Sequence, residues 1–228
     1  YVMTDEYKVY KCLFNNGNSA STVKPTSTST SPVTLADGYV WKYMYTIDTD
    51  SILKFLTPEF MPVLACSTVQ AAAVDGAIDV IKITYAGNAY VSTPTVNIIG
   101  DGSGATAVAT LSGATVANIT MTARGSAFHV ANVTLTGGAP GANAQARAIM
   151  GPPGGHGKNP IDELGAYYVM VTAKLNYDEG SGDFPVTNDF RRIGMLIDPQ
   201  NHGSNVRANA NTLTAVYSLT TANTTPAF

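Results

Sequence analysis

The sequence predicts a mainly β fold with a few short helices, and three observations support this prediction. Residues 7–13 (YKVYKCL) and 39–47 (YVWKYMYTI) alternate polar and apolar side chains with the period of two of a half-buried strand. Small and β-branched residues are abundant, while only 13% of the residues are charged. A stretch of about 37 residues occurs twice in tandem. We expect a β-sandwich-like main domain with an inserted β-repeat module.

The low charge content is typical of rigid β proteins whose surfaces are covered by partner subunits, although secreted β domains share it. The net charge is −3 and the 13 Lys and Arg residues are scattered, which does not favour nucleic-acid binding. No stretch approaches 18 apolar residues and the N-terminus lacks an export signal, so we expect no membrane span. Cys12 and Cys66 are too few for a disulfide scaffold and lack zinc-ligand spacing.

The first third of the chain predicts two strands, a long loop and a short helix. Residues 15–38 are rich in Ser, Thr and Pro, which indicates an extended surface loop and a candidate contact arm. Residues 39–47, which include Trp41, carry aromatic side chains on one face and aliphatic ones on the other. Both faces must be covered, so this is a central strand rather than an aromatic ligand platform. Asp48 or Asp50 is a suitable N-cap for a helix that ends before Pro58.

An internal repeat begins near Asp79. Its two copies match at an offset of 38 residues, which becomes 37 after a one-residue deletion. The matched pairs include Ile81 with Ile119, Gly87 with Gly125, Tyr90 with Phe128, Val96 with Val133, and Ile98 with Leu135. Each copy predicts three strands separated by glycine turns, the first of which carries an aromatic anchor. Two copies are few for an open solenoid, so we expect them to pack on each other as one module, residues 69–149.

The segment GPPGGHGKNP, residues 151–160, follows the repeats. It is not a phosphate-binding loop, because the spacing of its glycines is wrong and Asn159 follows Lys158. The glycines predict a bend with several positive-φ positions, ended by Pro160 at a helix start. We expect His156 and Lys158 to hydrogen-bond the neighbouring backbone or a partner. Strands are predicted at residues 167–175 and 193–197, with a turn at 187–189 and a weak strand at 213–219.

Candidate catalytic groups are weak in this sequence. Asp48 and Asp50 are better explained as helix caps, and the adjacent Asp162 and Glu163 would point to different faces of a helix. The histidines show no metal-binding spacing: His129, His156 and His202. His129 is expected in a repeat strand as an ordinary surface or packing residue. The sequence therefore predicts no enzyme activity, no cofactor and no metal.

Four blocks in the chain, taken in order, resemble one protein family. They are DGYVWKYMYTI (37–47), KFLTPEFMPV (54–63), GPPGGHGKNPIDELGAYYVMV (151–171) and FPVTNDFRRIGMLIDP (184–199). The blocks are similar in order and spacing to the baseplate wedge protein of T4-like contractile-tailed bacteriophages, the wedge subunit eight family. The family's chains are longer, so we expect this chain to be part of a longer product.

The resemblance implies a structural protein of the virion tail baseplate, assembled in the bacterial host cytoplasm. It implies a homodimer that contacts other wedge proteins, with no small-molecule substrate. It also implies a discontinuous main domain, residues 1–68 plus 150–228, that carries the inserted module. The expected structural-joint and contact residues are Trp41, Gly154, Gly155, His156, Gly157, Lys158, Asn188, Asp189 and Arg191.

Two other functions remain open at the level of sequence. A carbohydrate- or receptor-binding β module of a tail fibre or surface protein would suit the aromatic and glycine-rich turns. It would need exposed aromatic side chains, for which Tyr90 and Phe128 are the candidates. A tail-associated hydrolase comes third and would need an acid pair or a metal site in a cleft.

Overall fold

The computed structural model describes residues 1–174 and 191–197 as antiparallel sheets joined by a few short helices, which confirms the predicted mainly β class. The chain divides into two compact units. The first holds Tyr1–Asp48 and Leu64–Leu164, and the second holds Thr49–Val63 and the described residues from Gly165 on. The repeat strands thus share a unit with the N-terminal strands, a division that does not follow the predicted domain boundaries. Those boundaries and the sandwich-like main domain stay predictions.

The N-terminal sheet has four strands in the order β1-β2-β4-β3, and all neighbours are antiparallel. The strands are β1 (Val2–Met3), β2 (Lys8–Phe14), β3 (Val33–Thr34) and β4 (Val40–Thr46). A 3-10 turn, Asn16–Asn18, follows β2. Side chains of both faces of β4, such as Trp41 and Met44, are buried, which confirms the predicted central strand.

The polar segment between β2 and β3 is held against its own unit. Asp37 Oδ2 accepts hydrogen bonds from Ser21 Oγ at 2.9 Å and from the Thr22 N–H at 2.9 Å. Lys8 in β2 donates to the Thr26 carbonyl at 3.4 Å. A carboxylate that accepts several bonds organises a loop that has no ladder of its own. The candidate contact arm is therefore bonded along part of its length to the sheet it leaves.

The repeats form six strands, three from each copy, as the repeat predicts. They are β5 (Ile78–Tyr85), β6 (Thr95–Gly100), β7 (Ser103–Ser112), β8 (Thr115–Ser126), β9 (Ala131–Thr136) and β10 (Gln145–Met150). The first strand of each copy pairs with the third strand of the other, β5 with β10 and β8 with β7. The second strands, β6 and β9, pair with each other. The copies are intertwined and not stacked as separate units.

The matched positions of the two copies fill one core. Its buried side chains include Ile81, Tyr90, Ile119, Phe128, Val133 and Leu135. The aromatic anchors are held reciprocally. The Tyr90 N–H donates to the Ala114 carbonyl at 3.0 Å, and the Phe128 N–H donates to the Gly76 carbonyl at 3.1 Å. The two donors are 38 residues apart in the sequence, and so are the two acceptors. Each copy therefore makes the same bond to the other.

The remaining elements are short. They are α1 (Thr49–Phe55), α2 (Ser67–Ala71), α3 (Pro160–Leu164) and the antiparallel pair β11 (Tyr168–Lys174) and β12 (Arg191–Ile197). The predicted helix before Pro58 and the helix start at Pro160 are confirmed, whereas α2 had no sequence prediction. The predicted turn at 187–189 and strand at 213–219 lie outside the described residues. No helix within the described part of the chain is long and apolar enough to cross a membrane.

Candidate functional site: a buried ionic joint

Residues 151–164, which we call the joint, connect β10 to α3 through a glycine bend. Gly154, Gly155 and Gly157 have φ angles of +79°, +87° and +81°, as the prediction of several positive-φ positions requires. This left-handed region is costly for residues that carry a Cβ atom. The bend returns the chain against residues 69–75, so that the Gly154 N–H donates to Asp75 Oδ1 at 2.7 Å.

Two of these glycines are also required by close packing. A Cβ atom on Gly155 would lie 2.4 Å from the Val74 carbonyl oxygen, and one on Gly157 would lie 2.3 Å from Val69 Cγ1. Val69 is the buried residue of α2. The obstacle at Gly155 is backbone, which cannot rotate away as a side chain can. The joint is therefore packed tightly against α2 and the turn that follows it.

His156 lies between two buried carboxylates. Its Nε2 is 2.8 Å from Asp79 Oδ2, and its Nδ1 contacts Glu163 Oε1 within hydrogen-bond distance. Among the described residues, Asp79 Oδ2 finds no hydrogen-bond partner of good geometry, so the Asp79 contact is chiefly electrostatic. Burial lowers the pKa of His156, but the two carboxylates outweigh burial and leave the pKa above its ordinary value.

Glu163, the fourth residue of α3, ties the joint to the N-terminal sheet. Its Oε2 accepts the Gly157 N–H at 2.6 Å, and its Oε1 accepts Lys11 Nζ at 2.9 Å. The side chain is only 2% exposed. Burial raises the pKa of Glu163, but the bonds from His156, Gly157 and Lys11 lower it to about 2. Glu163 is therefore ionised and fully bonded under ordinary conditions.

Lys42 in β4 is the second lysine near these carboxylates. It is 3% exposed and donates to the Thr30 carbonyl. Burial lowers the pKa of Lys42, while the negative charges of Asp79 and Glu163 oppose that effect. We call Lys11, Lys42, Asp79, His156 and Glu163 the ionic cluster. It sets three basic side chains around two buried carboxylates, which would be costly to bury without partners, while the Lys11 side chain stays 23% exposed.

The ionic cluster is built as a brace. Both ring nitrogens of His156 face carboxylates and Glu163 uses both of its oxygens, so these groups bond one another. Within the described residues, no group of three or more His, Cys, Asp or Glu side chains is placed to hold a metal ion. What the arrangement does chemically is connect β2, β5 and α3 through paired charges, with Lys42 of β4 acting on the carboxylates at longer range.

The other predicted site residues lie apart from the ionic cluster. Lys158 is exposed, and its carbonyl accepts Gln70 Nε2 at 3.2 Å. Trp41 is 5% exposed and stacks on Tyr39, with 5.6 Å between ring centroids. Arg191 is the first residue of β12 and pairs with Lys174. Asn188 and Asp189 lie outside the described residues.

His156 braces the bend through carboxylates, whereas hydrogen bonds to the neighbouring backbone or to a partner were expected; its contact with a partner stays a prediction. The expectation for the position of His129 was wrong. His129 does not lie in a repeat strand: it is exposed between β8 and β9, where its N–H donates to Asp101 Oδ1 at 2.9 Å. The Asp101 carboxylate also accepts the Val130 N–H at 2.9 Å. Asp101 therefore caps the turn in which His129 lies.

Sequence reasoning missed the two carboxylates and the lysine that complete the ionic cluster. The different faces expected for Asp162 and Glu163 are observed, because Asp162 accepts Asn159 Nδ2 at 2.6 Å while Glu163 turns to His156. The seven-residue spacing of His156 and Glu163 around a glycine bend was the available local signal. Asp79 and Lys11 come from distant strands, and no local pattern marks them.

The fold and the joint define a mainly β protein in which an intertwined pair of repeats is fastened to an N-terminal sheet by buried charges. Comparison with protein-family profiles, curated proteins and solved structures finds no match for this chain. Its function is therefore argued from its own residues.

Proposed function

We propose that this protein is a structural component of a contractile-tail baseplate wedge, where it assembles with a second copy of itself and with other wedge proteins. The proposal is carried by the four ordered sequence blocks that resemble the wedge subunit eight family. Two of these blocks supply three of the five members of the ionic cluster: Lys42 belongs to the first block, and His156 and Glu163 belong to the third. A structural role for the blocks supports the proposal of a scaffold protein.

The surface of the repeats suits assembly. Uncharged side chains bond across neighbouring strands, as Asn97 does with Thr136 at 2.8 Å and Thr106 with Thr122 at 2.7 Å. Exposed ladders of this kind hold their side chains in fixed positions and carry no net charge. Uncharged patches of this kind favour close contacts with partner subunits, because these side chains need no charge to be desolvated when the partner docks.

The carbohydrate- or receptor-binding alternative depended on Tyr90 and Phe128. Each is 5% exposed and lies in the shared repeat core. The Tyr90 hydroxyl is also engaged, because it accepts the Ala144 N–H at 2.8 Å. Sugar-stacking residues must present a ring face to solvent, so the alternative loses its candidate residues and we do not propose it.

The experiment is protein quantification in purified virions and in tailless particles of the same phage. The proposal expects the chain in complete virions, at a fixed ratio to other baseplate proteins, and its loss from tailless particles. Complementation with Gly155→Ala should reduce incorporation, while Gly113→Ala, a positive-φ glycine with open space around it, should be incorporated normally. Absence of the wild-type chain from complete virions would contradict the proposal.

A further inference from the structure

His156 lies between two carboxylates that are far apart in the sequence. Asp79 lies in β5, Glu163 lies in α3, and their side chains are 4% and 2% exposed. A neutral imidazole has one N–H, so one of its ring nitrogens would turn a lone pair toward a carboxylate oxygen. An imidazolium carries a proton on both nitrogens and is attracted by both carboxylates. The geometry therefore favours the protonated ring.

We propose that His156 is a buried imidazolium that locks the joint to β5, and that loss of its proton releases the joint. The lock is a conformational device of this chain and does not depend on the proposed baseplate function. Its parts are the ring of His156, the Asp79 carboxylate on the side of β5 and the Glu163 carboxylate on the side of α3.

The neighbouring charges determine which contact fails first. Lys11 remains paired with Glu163 at 2.9 Å when His156 becomes neutral, so α3 keeps its bond to β2. Asp79 loses its near cation and retains only the longer-range charge of Lys42, whose ammonium is bonded to the Thr30 carbonyl. The positive charge of Arg124 also acts on Lys42 and lowers its pKa. Release therefore begins between the joint and β5.

Asp75 and Lys158 are also charged and lie close to the bend, but they contact Gly154 and not the His156 ring. Asp75 accepts the Gly154 N–H at 2.7 Å, and the Lys158 stem lies beside Gly154. Neither contacts the His156 ring, so its protonation is controlled by the ionic cluster. The pKa of His156 is raised above 6.5, which means that the lock is complete below about pH 6.5 and is lost as pH rises through the folded-state value.

The protonation state is tested by nitrogen-detected NMR of the histidine rings in the intact chain across about pH 5 to 9. The His156 signal is assigned by its disappearance in His156→Gln, and exposed His129 shows the signal of a ring outside the ionic cluster. We expect both ring nitrogens of His156 to be protonated at pH 6.5, with the proton lost only as pH rises further. A His156 ring that is mainly neutral at pH 6.5 would overturn the proposal.

The release is tested by amide hydrogen exchange of the same protein, corrected for the intrinsic effect of pH. Protection of the Gly154 N–H, which bonds Asp75 ahead of β5, should fall about tenfold as His156 titrates, the effect of losing one contact between opposite charges. The Val116 N–H, bonded to the Ala86 carbonyl at 3.0 Å in the repeat core, should keep its protection. In His156→Gln the joint should be weakly protected at every pH. If that variant does not fold, the wild-type series decides: unchanged protection through the titration would overturn the lock.

Discussion

The Gly157 backbone N–H donates to Glu163 Oε2 at 2.6 Å, so a carboxylate in α3 closes the glycine bend that precedes it. The other oxygen of the same carboxylate contacts His156 and Lys11. One side chain therefore fixes the bend, the imidazole and the N-terminal sheet together. The structure predicts that these parts lose their order together when Glu163 is changed.

Replacement of Glu163 by Gln should destabilise the first unit by about 3 kcal/mol at neutral pH. The amide keeps the shape of the carboxyl group but leaves His156 and Lys11 without their shared anion. Urea unfolding measures the change. Glu6→Gln is the matched control, because Glu6 pairs with Lys8 at the surface, where solvent screens the pair, and its loss should leave the stability almost unchanged. Equal effects of the two substitutions would contradict a special role for Glu163.

The stability of the first unit should be greatest between about pH 4.5 and 6.5. The pKa of Glu163 falls from 4.5 to about 2 on folding, so its contribution is complete above 4.5 and is lost as pH falls toward 2. The pKa of His156 is raised above 6.5, so its contribution is complete below 6.5 and is lost as pH rises through the folded value. Unfolding free energies measured across this range test the prediction, and a profile that rises steadily from pH 5 to pH 9 would refute it.

Gly155→Ala should destabilise the protein by roughly 3–5 kcal/mol, whereas Gly113→Ala should cost only about 1 kcal/mol. Both glycines have positive φ, at +87° and +59°. Only Gly155 has backbone in the way of a Cβ atom, the Val74 carbonyl oxygen at 2.4 Å. Thermal unfolding of the two variants separates the steric term from the backbone-strain term. Similar losses would show that packing at Gly155 relaxes.

Tyr90→Phe should cost about 1–3 kcal/mol, because the buried Ala144 N–H would lose its only hydrogen-bond acceptor at 2.8 Å among the described residues. Tyr43→Phe is the comparison, since the Tyr43 hydroxyl bonds Thr46 at the surface and water can replace that partner. Its cost should stay below about 0.5 kcal/mol. Chemical denaturation compares them, and a harmless Tyr90→Phe would mean that water reaches Ala144.

Local sequence patterns predicted the elements of this fold better than their pairing. Period-two alternation located β2 and β4, and the repeat located six strands with their core positions. The repeat shows which positions are equivalent, but it does not show which strands are neighbours. The exchange of β5 with β10 and β8 with β7 follows from closing one core with two copies, a non-local requirement.

For the candidate site, too, the sequence predicted local backbone geometry but not the contacts between distant segments. The glycines of residues 151–160 predicted a bend, since backbone conformation is a local property. His156 was placed in that bend, but its partners could not be identified because Asp79 lies in a strand that is distant in sequence. A buried ion pair needs two chain segments to meet, and the spacing of residues along one segment carries no information about the other.

An electron-microscopy reconstruction of the baseplate in purified virions tests the central claim most directly. The proposed function predicts density for the intertwined repeats and the N-terminal sheet within each wedge, with two copies of the chain in contact with each other and with other wedge proteins. Density for the chain at the tips of tail fibres, or a complete baseplate that lacks it, would contradict the claim.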